Sequence, residues 1–186
     1  SNILMKAEQL GIHLEKGSDE AKAILTEVKA LEQAGYSFEA AGGSLELLVR
    51  RMLGESSRSW NLHEYQCSFR KYKDGHAPVC EATVKLDVGD KTSHTASTGH
   101  GVVNALDGAL RKALTPFFPQ LEKIQLIDYK VRIIDGEEAT AAKTRVLIAH
   151  TDGEATWGTV GVSDSIIEAS WIALTDGLEL FLQKTS

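Results

Sequence analysis

The sequence predicts an α+β fold, a helical segment followed by two successive β-β-β-α units built as sheet-and-helix layers. Three observations predict it. Apolar residues recur at helical spacing up to Gly54 and at a spacing of two from Trp60 onward. Asp-Gly and Gly-Asp pairs punctuate the alternating stretches at hairpin intervals. The chain also repeats itself. Shifted by 64 positions, Tyr65 meets Tyr129, Gly89 meets Gly153, Thr95 meets Thr159 and Leu110 meets Leu174. In all there are eight identities in 46 ungapped positions, where about three would arise by chance.

The first segment carries three helical stripes. Ile3, Leu4, Ala7 and Leu10 form a short one closed by Gly11. Ser18 or Asp19 starts a second, with Ile24, Leu25, Val28 and Leu31 on one face and Gly35 as its stop. Ser44 is expected to cap a third, carrying Leu45, Leu48, Val49 and Met52. Three short helices bury too little by themselves, so residues 1–56 are expected to be a linker subdomain that packs against residues 57–186.

In the first unit, Tyr65, Cys67 and Phe69 alternate with polar residues as a half-buried strand, and Lys73-Asp74-Gly75 turns the chain. Cys80, Ala82, Val84 and Leu86 form the second strand, and Gly89-Asp90 leads to a third over Thr92–Thr98. A helix from about Gly101 buries Val102, Val103, Leu106, Ala109, Leu110 and Ala113, and Pro116 ends it. The second unit repeats the order: Leu126–Ile134, a turn at Asp135-Gly136, Lys143–His150, a turn at Asp152-Gly153, Thr156–Val162, then a helix to about Leu182. Its Arg145–Ala149 stretch is more continuously apolar, through Val146, Leu147 and Ile148, as a strand covered on both faces would be. The last helix is expected to bury Ile166, Ile167, Ala173 and Leu174 around the small Ser170.

Composition narrows the function. A net charge of −6 disfavours a nucleic-acid groove or an anionic membrane partner. No apolar run reaches membrane length, and the opening residues lack a basic then apolar leader pattern. Cys67 and Cys80 form no metal pattern; adjacent strands allow a bridge, and free thiols in a cytoplasmic protein are the expected state. The six histidines stand without a partner at metal-ligand spacing and read as surface or turn residues. Asp135-Gly136-Glu137-Glu138 reads as a solvated turn. No catalytic motif and no metal site emerges.

One place does invite a ligand. Thr98-Gly99-His100-Gly101 precedes a helix beginning Val102-Val103-Asn104. Free N–H groups at a helix start favour a carboxylate, with Val103 as an apolar wall and Asn104 as a hydrogen-bonding group. The same glycines also serve simply to turn strand into helix, which is the reading the residues alone favour.

Four stretches carry a family resemblance: SNILMKAEQLGI (Ser1–Ile12), GYSFEAAGGSLELLVRR (Gly35–Arg51), TGHGVVNAL (Thr98–Leu106) and WGTVGVSDSIIEASWIAL (Trp157–Leu174). Together they resemble the C-terminal part of the citramalate synthase and 2-isopropylmalate synthase family, its linker helices plus the LeuA-type allosteric (dimerisation) domain. The second and fourth stretches resemble the citramalate branch more closely. The resemblance implies a catalytic TIM barrel upstream, which would carry the divalent metal and acetyl-CoA, so that this part needs no cofactor of its own. It implies a homodimer that binds an end-product amino acid near the interface and feeds back on the acyltransferase. Carried over by motif, the effector-binding residues would be Gly99, Gly101, Val103, Asn104, Leu126, Asp128, Tyr129, Ile133 and Val162. Isoleucine is the favoured effector; the leucine-binding equivalent of 2-isopropylmalate synthase and a purely structural dimerisation module are the alternatives. One departure stands out: the family usually has Pro before this helix and often Asp at its start, whereas Val102 and Asn104 stand here. For Tyr129 a plain strand-core role competes, because Tyr65 holds the equivalent place in the first unit.

Overall fold

The computed structural model describes residues 2–134 and 142–186. Three helices come first: α1 (Asn2–Gln9), α2 (Asp19–Gln33) and α3 (Gly42–Met52). The first unit follows as β1 (Asn61–Arg70), β2 (Val79–Val88), β3 (Lys91–Gly99) and α4 (Val102–Leu114). A 3-10 turn at Pro119–Lys123 joins it to the second, which is β4 (Gln125–Ile134), β5 (Lys143–Thr151), β6 (Thr156–Ser163) and α5 (Ile166–Thr185). Each unit is an antiparallel three-stranded sheet in sequence order, with its helix laid back over it. The α+β expectation and the two β-β-β-α repeats therefore hold.

The repeat reaches into backbone detail. The strand register slips between Leu62 and Glu64 in the first unit and between Leu126 and Asp128 in the second, 64 residues on. Gly89 and Gly153 both turn with positive φ, at 61° and 94°, a conformation that costs glycine no Cβ clash. The expected turn at Asp135-Gly136 and the acidic run to Glu138 lie outside the described residues.

Two apolar cores result. The larger joins β2 and α4 to β5 and α5, with Leu86, Leu106, Leu110, Ile148, Leu174 and Leu178 fully buried. Burial of each such side chain stabilises the fold by about 1.5–3 kcal/mol. Trp171 of α5 ties the units together, meeting Trp60 edge-on and stacking on Tyr65 of β1 at 4.4 Å. The second core lies on the far face of the β4-β5-β6 sheet, where Val160, Val162 and Leu147 meet Ala7, Ile24, Val28, Leu45 and Val49 of the first three helices. With α5 on one face and these helices on the other, β5 is covered on both, which explains its continuous apolar run.

Several local expectations need correction. Ser44 does not cap α3, which starts two residues earlier after Ala41, with no side-chain cap. Ser44 is instead buried in the first turn. Its hydroxyl accepts from the Val160 N–H at 2.9 Å and donates to Asp176 Oδ2 at 2.8 Å. Two glycines let this helix come so close: a Cβ on Gly43 would sit 2.7 Å from the Gly158 carbonyl oxygen. Ile166, expected inside, is 41% exposed; it is the first residue of α5, directly after the Ser165 cap. Phe69 and Met52 are likewise exposed. His150 departs furthest from expectation: it is fully buried, its ring stacked on Trp157.

Candidate functional site

The expected helix start is built from the end of β3 and the first turn of α4. Gly99 pairs with Cys80 at the end of the ladder. A Cβ there would lie 2.8 Å from the Ala105 nitrogen, so packing of strand against helix alone demands glycine. Gly101 is extended (φ −159°, ψ 177°) with open space around it, and neither φ nor crowding requires glycine there. No side chain caps α4. The second unit differs: Ser165 caps α5 by accepting from the Ile167 and Glu168 N–H groups. The first helix start is open and the second is closed.

Around that open end, Asn104 is exposed, while Val103 turns its side chain into the larger core. Val103 thus offers its N–H to solvent-side chemistry rather than an apolar wall.

On β4 the picture is one of bare edge. Tyr129 and Ile133 are 46% and 72% exposed, with Val131 between them. They pair with Ile148, Thr144 and Val146 and share the face that α5 covers further in. Alternation puts Asp128, which pairs with Ala149, on the opposite face from Tyr129. Leu126, beside the register slip, is half-buried against the larger core. Val162 pairs with Arg145 and packs into the second core, on the face opposite Tyr129 and Ile133.

The bareness of β4 has a cause in the repeat. Tyr65, the equivalent of Tyr129, is covered by Trp171. The position equivalent to Trp171 in α4 is Asp107, which is turned to Arg111 at 2.9 Å. Tyr129 therefore lacks the aromatic cover that Tyr65 enjoys.

Sequence reading missed a polar latch between α3 and α5. Arg51 Nη2 donates to Glu179 at 2.8 Å and to Asp176 at 3.4 Å; Arg58 donates to Glu179 at 3.1 Å; Lys184 meets Glu46 at 3.3 Å. Burial pushes the Asp176 carboxyl up, against the pull of Arg51 and the Ser44 hydroxyl. A signal was present in two acids, Asp176 and Glu179, placed inside an otherwise apolar helix. His150 was missed as well. Burial, then the charge of Arg111, lowers it to about 4, and neither ring nitrogen has a hydrogen-bond partner among the described residues. Cys67 and Cys80 are free thiols; burial, then the neighbouring Cys80, raises Cys67 to about 11.

Among the described residues, no three His, Cys, Asp or Glu side chains gather as a metal site, and no helix is long and apolar enough to cross a membrane. The geometry offers binding surfaces: an open helix start, a bare apolar strand and a latched helix pair.

Similarity to known proteins completes the picture. The LeuA allosteric (dimerisation) domain family matches residues 39–182. The chain is 49% identical over 184 residues to an (R)-citramalate synthase of Aquifex aeolicus, covering 99% of this chain and 35% of that protein. It is 44% identical over 185 residues to the (R)-citramalate synthase of Geobacter sulfurreducens, covering 100% of this chain and 35% of that one. A 2-isopropylmalate synthase of Thermus thermophilus is 32% identical over 150 residues, covering 81% and 43%. The chain spans about a third of the length of the citramalate synthases it matches. It belongs to the LeuA allosteric (dimerisation) domain family, as a regulatory and dimerisation domain of the citramalate synthase group.

Proposed function

We propose that this chain senses a branched-chain amino acid, isoleucine in first place, and feeds back on an acetyl-CoA-dependent citramalate synthase in the cytoplasm. The observation that carries the proposal is the divergence of the two repeats. The first keeps an uncapped helix start, and the second leaves Tyr129, Val131 and Ile133 without cover. The effector's carboxylate would sit on the free N–H groups at Gly101–Asn104, with Gly99 allowing the close turn. Asn104 would meet its ammonium. Leu126, Tyr129 and Ile133 would enclose its side chain. A second copy supplies what one protomer lacks, because the apolar stripe on β4 is the surface a homodimer would cover. Asp128 and Val162, on the far face of β4-β5-β6, would act at the rim or from behind. Residues 1–56 would link this part to a catalytic barrel that holds the divalent metal and acetyl-CoA.

Titration calorimetry with isoleucine, leucine and valine in parallel tests this. Saturable heat with isoleucine strongest supports it, and leucine strongest would move the chain to the 2-isopropylmalate branch. Silence at millimolar levels of all three removes effector sensing. A dimerisation module without an effector site is the second reading, favoured by the packing role of Gly99 and the inward turn of Val103.

A further inference from the structure

A cavity of about 200 Å3 lies where α2, α3 and α5 meet, and no residue of the α4 start or of β4 lines it. Its charged lining is Asp176, Arg51 and Glu27, with Ser44 beside them. Asp176 is buried and held by Ser44 and Arg51, while Glu27 stands exposed at the rim. Among the described residues Arg51 spends only Nη2 on protein carboxylates, leaving Nε and Nη1 without a protein acceptor. The apolar walls are Leu31, Leu48, Ile172 and Phe38, with the ring of Tyr36.

From this arrangement we infer a second small-molecule site, for a compact aliphatic zwitterion, in the cleft between the linker helices and α5. The Nε–H and Nη1–H groups of Arg51 are left to donate singly to a carboxylate, since both planar forks of the guanidinium include the committed Nη2. Asp176 and Glu27 take an ammonium. The aliphatic body lies against Leu31, Leu48 and Ile172, where burial of each methylene contributes about 0.8 kcal/mol. A cation alone would leave the Nε–H and Nη1–H groups of Arg51 without an acceptor, and an anion alone would face Asp176 and Glu27, so the cleft suits a ligand that carries both charges. The cleft is walled by α3 on one side and α5 on the other, so its occupant bridges the two latched helices. This inference stands apart from the effector reading, since it uses none of the same residues.

The test is amide-resolved NMR of the chain titrated with L-leucine, 3-methylbutylamine and 4-methylpentanoate. Leucine is expected to shift the amides of Leu31, Leu48 and Ile172, with either single-charge analogue at least about tenfold weaker. Leu48→Trp, which fills the cleft, and Glu27→Lys, an exposed substitution that repels the ammonium, should each weaken leucine by about tenfold or more. Tyr129→Ala should leave these shifts unchanged. The inference fails if those amides stay still at tens of millimolar leucine. It also fails if the analogues bind as well as leucine, or if both variants respond like the parent chain. Shifts confined to the α4 start and β4 would sink it while leaving the effector reading intact; shifts confined to the cleft support it, and the effector reading is then decided by the isoleucine titration.

Discussion

Thr159 repeats, 64 residues on, the hydrogen bond that Thr95 makes: each hydroxyl donates to a helix carbonyl fourteen residues ahead, Thr95 to Ala109 at 2.6 Å and Thr159 to Ala173 at 2.7 Å. The pair fixes the helix-to-sheet spacing in both units, which makes the duplication a matter of packing as well as of sequence. Valine is nearly isosteric with threonine and removes only the hydroxyl. Thr159→Val, at a fully buried position, is expected to cost about 1 kcal/mol, and Thr95→Val, at a half-buried one, somewhat less. Urea denaturation of the two variants, with unchanged m-values, checks both.

The α3–α5 latch predicts a larger effect. Asp176→Ala removes the acceptor of the buried Ser44 hydroxyl and one partner of Arg51. About 2–3 kcal/mol of stability should be lost, because a buried polar group without its partner costs more than the bond was worth. Hydrogen exchange should quicken first in α3, whose start rests on β6 through Gly43 and Gly158.

His150 gives the fold an acid sensitivity. Its folded-state value lies below the ordinary one, at about 4 against 6.5, so the folded protein resists protonation that the unfolded chain accepts. Stability is therefore full above pH 6.5 and falls as pH drops toward 4, by about 3 kcal/mol at most from this residue. Asp176 and Asp107 are raised and act oppositely at the acid end. The difference between the parent chain and His150→Leu isolates the histidine: the unfolding free energy of the parent minus that of the variant should fall as pH drops across that window. A gap independent of pH would refute the assignment.

The bare edge of β4 predicts self-association. Ile133→Lys changes an exposed side chain, so monomer stability should move by less than about 0.5 kcal/mol. Sedimentation should nonetheless show the dimer weakened by about tenfold or more, as expected for a charge placed in an apolar contact. An unchanged dimer would put the interface elsewhere.

Much of this architecture was legible along the chain, and the reason is locality. Ser18 caps α2, glycines stop α1 and α2 with positive φ, and Cys80, Ala82, Val84 and Leu86 alternate inward. Each depends on neighbours within a few residues. What escaped depends on distant partners. Ser44 resembles a cap until β6 and Asp176 arrive to claim its hydroxyl. His150 resembles a strand-end surface residue until α5 closes over it, with Gly177 making room for the ring. The candidate effector residues show the same division. Sequence spacing finds a helix start at Gly101 and an aromatic strand at Tyr129, but the register slip at Leu126 and Asp128 decides which faces they meet.

Thermal melting of the chain with and without isoleucine, in parallel with Asn104→Ala and Tyr129→Ala, tests the central claim most directly. Effector sensing predicts a melting temperature that rises with isoleucine, corresponding to about 2.7 kcal/mol at a hundredfold excess over Kd. It also predicts that both substitutions, at exposed positions, diminish the rise without lowering the starting temperature. An unchanged melting temperature at millimolar isoleucine, leucine and valine, or an equal rise in both variants, would contradict it.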